Sequence, residues 1–306
     1  MNPILQTNSL TKVYGDTSAL DKVSLCLQPG RIYGLIGQNG SGKTTLMRII
    51  AGLAFPTGGS LELFGCLEEK QIHRERKRLG CLIEYPSFIP SMTAKDNLRL
   101  HRIMRGIPNE EIEDELLNIV GLTDACKKKA KDFSLGMKQR LGIALALLGD
   151  PEFLILDEPI NGLDPLGVVE IRNLLKKLCQ EKHKTILISS HNLPELYQIA
   201  TDYIVIHQGE IKEIITLQQL EEHCQHYLRL ECDNLEKLAA IIETKLGTEN
   251  YKVMPDGSLR LYDYLDDRET IMREFFENGI IITNCSREGD SLEDYFISVI
   301  GGVKNV

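Results

Sequence analysis

Residues 37–44 read Gly37-Gln38-Asn39-Gly40-Ser41-Gly42-Lys43-Thr44, a spacing of three glycines, a lysine and a hydroxyl that suits a phosphate-binding loop. Glycines let the backbone curl until successive N–H groups point at phosphate oxygens. A helix starting there adds the partial positive charge of its N-terminus. The apolar run Ile32–Ile36 reads as the strand leading in, and Thr45–Ala51 as the helix leading out. In that setting Lys43 is expected to reach the β- and γ-phosphates and the Thr44 hydroxyl to join a Mg²⁺ shell, with Gln38, Asn39, Ser41 and Thr45 completing the cradle.

A second group of chemically capable residues lies downstream. Phe153-Leu154-Ile155-Leu156-Asp157-Glu158-Pro159 sets two acids at the end of an apolar strand, where an α/β sheet presents its ligand crevice. The first acid is placed to hold the metal shell, as in phosphate-loop enzymes, and the second to polarise an attacking water. A helix cap followed by proline would also use such residues, but it would not explain two acids directly after a buried strand.

These groups need a scaffold. Short aliphatic runs, at 32–36, 153–156 and 185–189, read as strands buried on both faces, and helical patterns lie between them. The fold class expected is therefore α/β, a doubly wound parallel core. Residues 87–148 have apolar spacing of helical period and read as a helical insertion. After Gly209 the texture changes: strand 226–232, helix 235–246, a hairpin turning at Pro255–Ser258, helix 268–278, strand 280–285 and helix 292–300. That order, β-α-β-β-α-β, is the split ferredoxin-like pattern. Two domains are expected, 1–215 and 216–306.

The net charge of −9 is confined to the second of these, since 1–215 carries 26 basic and 26 acidic side chains and 216–306 carries 9 and 18. An acidic tail argues against a nucleic-acid partner, and the basic run His73–Arg78 reads as a solvated helix face. Eight cysteines stand apart with no CxxC pair, so no disulfide or zinc site is expected and the thiols read as small buried hydrophobes in a reducing compartment. No apolar run has membrane-spanning or signal-peptide length, so any membrane contact is expected to be peripheral.

Over about residues 3–215 the sequence resembles the nucleotide-binding subunit of ATP-binding-cassette (ABC) transporters, a phosphate-loop, RecA-like fold with a helical subdomain. Between the two phosphate motifs, Ser134-Leu135-Gly136-Met137-Lys138-Gln139-Arg140 is similar to the family's signature segment, departing from it at Leu135, Met137 and Lys138. The resemblance implies that Ser134 and Gly136 complete the ATP site of an opposite subunit. Likewise Asp164 in Asn161–Asp164 belongs to the loop linking the two sites, His191 is a γ-phosphate sensor, and Tyr14 stacks on adenine. Glu84 stands where most members have a metal-binding glutamine, and with Tyr85–Phe88, 164–172 and 292–296 it resembles the bacitracin and lantibiotic immunity branch.

What the resemblance implies is an ATPase using ATP and Mg²⁺, with Lys43, Glu158 and His191 in the reaction and Thr44, Asp157 and Glu84 at the metal. It further implies a homodimer attached to separate membrane permease subunits on the cytoplasmic face, exporting or removing a peptide antibiotic. Export of another lipid-like compound, a soluble cassette in translation or DNA repair, and a regulatory module sensing a small ligand are the alternatives.

Overall fold

The computed structural model describes residues 2–289 and 291–301. The chain divides into two compact units, 1–217 and 218–306.

In the first unit the strands are β1 (Leu5–Tyr14), β2 (Thr17–Leu27), β3 (Ile32–Ile36), β4 (Gly58–Leu63), β5 (Leu79–Leu82), β6 (Phe153–Asp157), β7 (Thr185–Ser190), β8 (Asp202–His207) and β9 (Glu210–Thr216). The helices are α1 (Lys43–Ala51), α2 (Glu69–Glu75), α3 (Ala94–Met104), α4 (Ile112–Ile119), α5 (Leu135–Leu147), α6 (Pro165–Lys182) and α7 (Leu193–Tyr197). β3, β6 and β7 are buried from end to end, which forces them to the middle of a sheet covered on both faces. That sheet has the order β5-β6-β7-β3-β8-β9, and it is parallel except for β9, which runs antiparallel to β8. A smaller antiparallel sheet, β2-β1-β4, has register shifts along β1, so its residues show no clean two-residue period.

Helix α1 joins the two sheets. Its Leu46, Met47, Ile49 and Ile50 fall in one apolar cluster with Leu5, Leu20 and Leu27 of the small sheet and Leu35, Ile155 and Leu187 of the large one. Burial of this kind contributes roughly 25 cal/mol per Å² of apolar surface, and here it fixes the start of α1 against the ends of β3 and β6. Between β5 and β6 the chain leaves the sheet to form α3, α4 and α5. There the buried Arg102 is satisfied by Glu113 at 2.8 Å and by the Ile107 carbonyl at 3.0 Å. Helix α5 begins at Leu135, three residues before the helical run that starts at Lys138, because the Ser134 hydroxyl accepts from Met137 N and caps it.

The second unit holds α8 (Leu217–Cys224, which begins at the boundary), β10 (Tyr227–Cys232), α9 (Leu235–Ile241), β11 (Tyr251–Val253), β12 (Leu259–Leu261), α10 (Arg268–Glu277), β13 (Ile282–Glu288) and α11 (Leu292–Val299). α9 runs on as a π-helical turn to Leu246. The four strands lie in the order β11-β12-β10-β13, with every neighbour antiparallel. Leu228, Leu230, Leu259 and Leu261 point to one face and pack with Leu238, Ile271 and Phe275. The last strand starts two residues later than the apolar run from Ile280, since Ile280 drops into this core just after α10 ends.

One feature departs from the sequence expectations. The cysteines are all unpaired, but only Cys179 is buried, Cys26 is exposed and the other six are half-buried. Burial still pushes the Cys81 thiol up to about 11, which leaves it protonated and inert near neutral pH. The change of texture at Gly209 does not end the first unit, because 210–216 returns as β9 to close the edge of the large sheet.

The two apolar clusters share no residue. A fragment ending at Leu217 is therefore expected to stay folded and to bind ATP as tightly as the full chain. Equilibrium binding of a fluorescent ATP analogue would check this, and loss of affinity would show that the second unit braces the first.

Candidate active site

The loop between β3 and α1 is shaped by its glycines. A side chain at Gly37 would stand 2.4 Å from both the Ile206 carbonyl and the Ser41 hydroxyl, and Gly42, at φ 110°, would bring a Cβ within 2.6 Å of the Ala19 carbonyl. Only glycine fits both points. The loop crest, Gln38, Asn39 and Gly40, is exposed, whereas Ser41 and Lys43 are buried. The Ser41 Oγ has no hydrogen-bond partner among the described residues, an unfilled donor at the place where a phosphate oxygen would satisfy it.

Lys43 lies across the loop, its ammonium donating to the carbonyls of Gly37 at 2.6 Å and Gln38 at 3.2 Å and standing 4.0 Å from a Glu158 oxygen. Burial pulls its pKa below the ordinary lysine value, while Glu158 and Asp157 push it back up. The Thr44 hydroxyl donates to Asp157 Oδ2 at 2.9 Å, and Ser189 Oγ donates to Asp157 Oδ1 at 2.5 Å. The same Ser189 Oγ accepts from the backbone N–H of Glu158 at 2.9 Å. Glu158 takes a left-handed backbone, φ 46°, which turns its carboxylate out of the strand line. There Asn161 donates to it at 2.9 Å and His191 Nδ1 lies 3.2 Å away.

So Lys43, Thr44, Asp157, Glu158 and His191 are brought together from the ends of three neighbouring strands, β3, β6 and β7. Thr44, Asp157 and Glu158 also line a cavity of about 760 Å³ with Glu84, Leu135 and Gln139. Glu84 faces that space, yet its carboxylate is held by Arg48 of α1 at 2.5 Å. Tyr14, Ser134, Gly136 and Asp164 do not line it. Tyr14 is 48% exposed with Lys12 over its ring at 4.7 Å, Ser134 and Asp164 cap α5 and α6, and Thr45 is half-buried in the first turn of α1.

Two site residues, Ser189 and Arg48, are not singled out by the motifs, and Asn161, part of the Asn161–Asp164 motif, holds Glu158, a contact the motif does not specify. Ser189 could be found only from the sheet order, since it is the residue paired with Asp157 across β6 and β7. Hard oxygen donors at Thr44 and Asp157 fit Mg²⁺, which takes one or two protein groups and completes its shell with phosphate and water. No cluster of three His, Cys, Asp or Glu suited to a metal lies among the described residues.

The fold and this constellation define a phosphate-loop ATPase cassette. The family model described as "ABC transporter" matches residues 20–161. The chain is 42% identical over 302 residues to the bacitracin transport ATP-binding protein BcrA of Enterococcus faecalis, covering 99% of this chain and 98% of that one. It is 40% identical over 222 residues to the lantibiotic transport ATP-binding protein SrtF of Streptococcus pyogenes, covering 72% and 95%. Among solved structures, a dimeric ATP-binding cassette in a post-hydrolysis state, bound to ADP and Pi, matches with a TM-score of 0.63 at 27% identity, covering 70% of this chain and 98% of that one. The chain belongs to the ABC transporter ATP-binding family, and it is an ATPase.

Two outcomes follow from the geometry. Ser189→Ala removes one hydrogen bond from Asp157 and one from Glu158 N, so turnover should fall about tenfold to a hundredfold, as for a charge-assisted bond of about 1.5–3 kcal/mol. ATP affinity should change little, and a phosphate-release assay beside a binding isotherm separates the two. Lys43 should also report on phosphate binding. Because burial lowers its pKa and a bound phosphate would raise it, ATP binding should take up protons through Lys43 at alkaline pH, between the free-state and the bound-state values. Calorimetry in buffers of different ionisation enthalpy measures this, and Lys43→Ala should abolish it along with most of the affinity.

Proposed function

We propose that this chain powers the export or removal of a peptide antibiotic of the bacitracin or lantibiotic type through separate membrane permease subunits. The observation that carries the catalytic part is the meeting of Lys43, Asp157 and His191 with Glu158 at the ends of three neighbouring strands. The likeness to two transport subunits named for such peptides carries the cargo.

In this reading the loop amides of 37–42, with Ser41, Thr44 and Thr45, cradle the phosphates, while Lys43 neutralises charge on the transferring phosphoryl group. Glu158, turned out of the strand and oriented by Asn161, accepts a hydrogen bond from the attacking water. His191 holds the far side of that carboxylate and senses the γ-phosphate. Thr44 and Asp157 would hold Mg²⁺, and Glu84 would be available to it where its carboxylate is free of Arg48. The ion, when bound, neutralises charge between the β- and γ-phosphates. Tyr14 offers its uncovered ring face to adenine.

Ser134, Gly136 and Asp164 have no place at this chain's own phosphate loop and are presented on exposed helix starts. That placement suits a head-to-tail homodimer in which each copy completes the other's ATP site. Among the described residues no helix is long and apolar enough to cross a membrane. The pathway is thus assigned to permease partners on which this subunit sits at the cytoplasmic face. The exposed Tyr85, beside Glu84, is the residue best placed to meet them.

Glu158→Gln should keep ATP binding and stop turnover, since an amide cannot take the proton from water. Cells carrying the whole transporter with this variant should lose tolerance to bacitracin or a lantibiotic. Full phosphate release by the variant would overturn the catalytic assignment, whereas unchanged tolerance in cells that lack the intact subunit would overturn the cargo alone.

A further inference from the structure

The second unit contains a cavity of about 540 Å³, within the roughly 300–1,000 Å³ typical of small-molecule sites. Its floor is the polar face of the four-stranded sheet, Tyr227, Arg260, Tyr262 and Glu288, and its wall is Glu222 and His223 of α8. The opposite face of the same strands buries four leucines, so strand alternation alone delivers these polar groups to one side.

Their partners are unusual for a surface. Arg229 and Arg287 of the same sheet are ion-paired, to Glu231 and Asp256 and to Asp266. Arg260 instead lies over the Tyr227 ring at 4.5 Å, with no carboxylate at ion-pair distance among the described residues. Among the described residues Glu288 has only neutral donors, the hydroxyls of Ser286 at 2.9 Å and Tyr227 at 3.1 Å. Tyr227 thus stands between a half-buried guanidinium and a half-buried carboxylate and keeps them from pairing. Opposite charges that share a cavity and are each held apart form two ready-made poles. A guanidinium presents planar donors that match a carboxylate, and a carboxylate can accept only from donors, best a cation.

Charge narrows the ligand further. Among the described residues the lining carries two carboxylates, Glu222 and Glu288, against the single guanidinium of Arg260. The two tyrosine faces are already attended by cations, Arg260 over Tyr227 and Lys252 at 5.9 Å over Tyr262, which leaves the carboxylates as the seat for a further cation. We propose that this cavity binds a cationic amino acid, or a peptide ending in one, with the carboxylate on Arg260 and the side-chain cation between Glu288 and Glu222. The site is independent of the ATP motifs and of the cargo proposed above.

The test is calorimetric titration of the full chain with L-lysine, L-norleucine, which lacks the side-chain cation, and cadaverine, which lacks the carboxylate. Lysine should bind at least about tenfold more tightly than either analogue, the loss expected for one charge-assisted pair. Arg260→Ala should erase the preference over cadaverine, and Glu288→Gln the preference over norleucine. Far-ultraviolet circular dichroism and the thermal unfolding profile of the full chain should be unchanged in both variants, which shows that their second unit is folded. Glycyl-L-lysine separates the sources: equal affinity points to a peptide C-terminus, and loss to the free amino acid. No lysine binding by the wild-type chain, equal binding of all three compounds, or full discrimination in both variants would overturn the proposal.

Discussion

The buried carboxylate of Asp157 is the constraint around which the catalytic unit is arranged. At 7% exposure its oxygens need hydrogen-bond partners inside the protein, and each has one hydroxyl, from Thr44 and from Ser189. Those two bonds tie the start of α1 to β6 and β6 to β7. Through Ser189 they also set the backbone of Glu158. The apolar cluster around α1 holds the helix at the right depth, and the carboxylate holds it at the right rotation.

Two further acids of the site are kept in a conformation that side chains avoid. Glu84 and Glu158 both have left-handed backbones, at φ 63° and 46°, and such residues cost about 1–2 kcal/mol each. Each is held by specific bonds, Glu84 by Arg48 and Glu158 by Asn161 and Ser189. Arg48 supplies the positive charge that balances the Glu84 carboxylate. The strain aims both carboxylates into the cavity rather than along their strands.

Much of this was legible in the sequence where one local rule decides the structure. The glycines of 37–42 could be read because a loop this tight excludes any Cβ, and β3, β6 and β7 because continuous aliphatic runs have no other stable place. Asp157 and Glu158 followed from their position at the end of such a run. Ser189 was not legible, since its role depends on which strands are neighbours, and the β2-β1-β4 sheet was hidden by register shifts that spoil its period. The pairing of Arg48 with Glu84 needs a helix and a loop 36 residues apart to meet. The cavity of the second unit was equally hidden, because Tyr227, Arg260 and Glu288 lie on three strands whose order no single segment specifies.

The antiparallel strand β9 has a consequence for how copies of this chain can meet. A sheet edge is a template for another strand, and proteins blunt it with charge. β9 carries Glu210, Lys212 and Glu213 within seven residues, and Lys212 is paired to Glu210 along the edge. The opposite edge, β5, offers only four residues. Edge-to-edge pairing between copies is thereby disfavoured at both ends of this sheet.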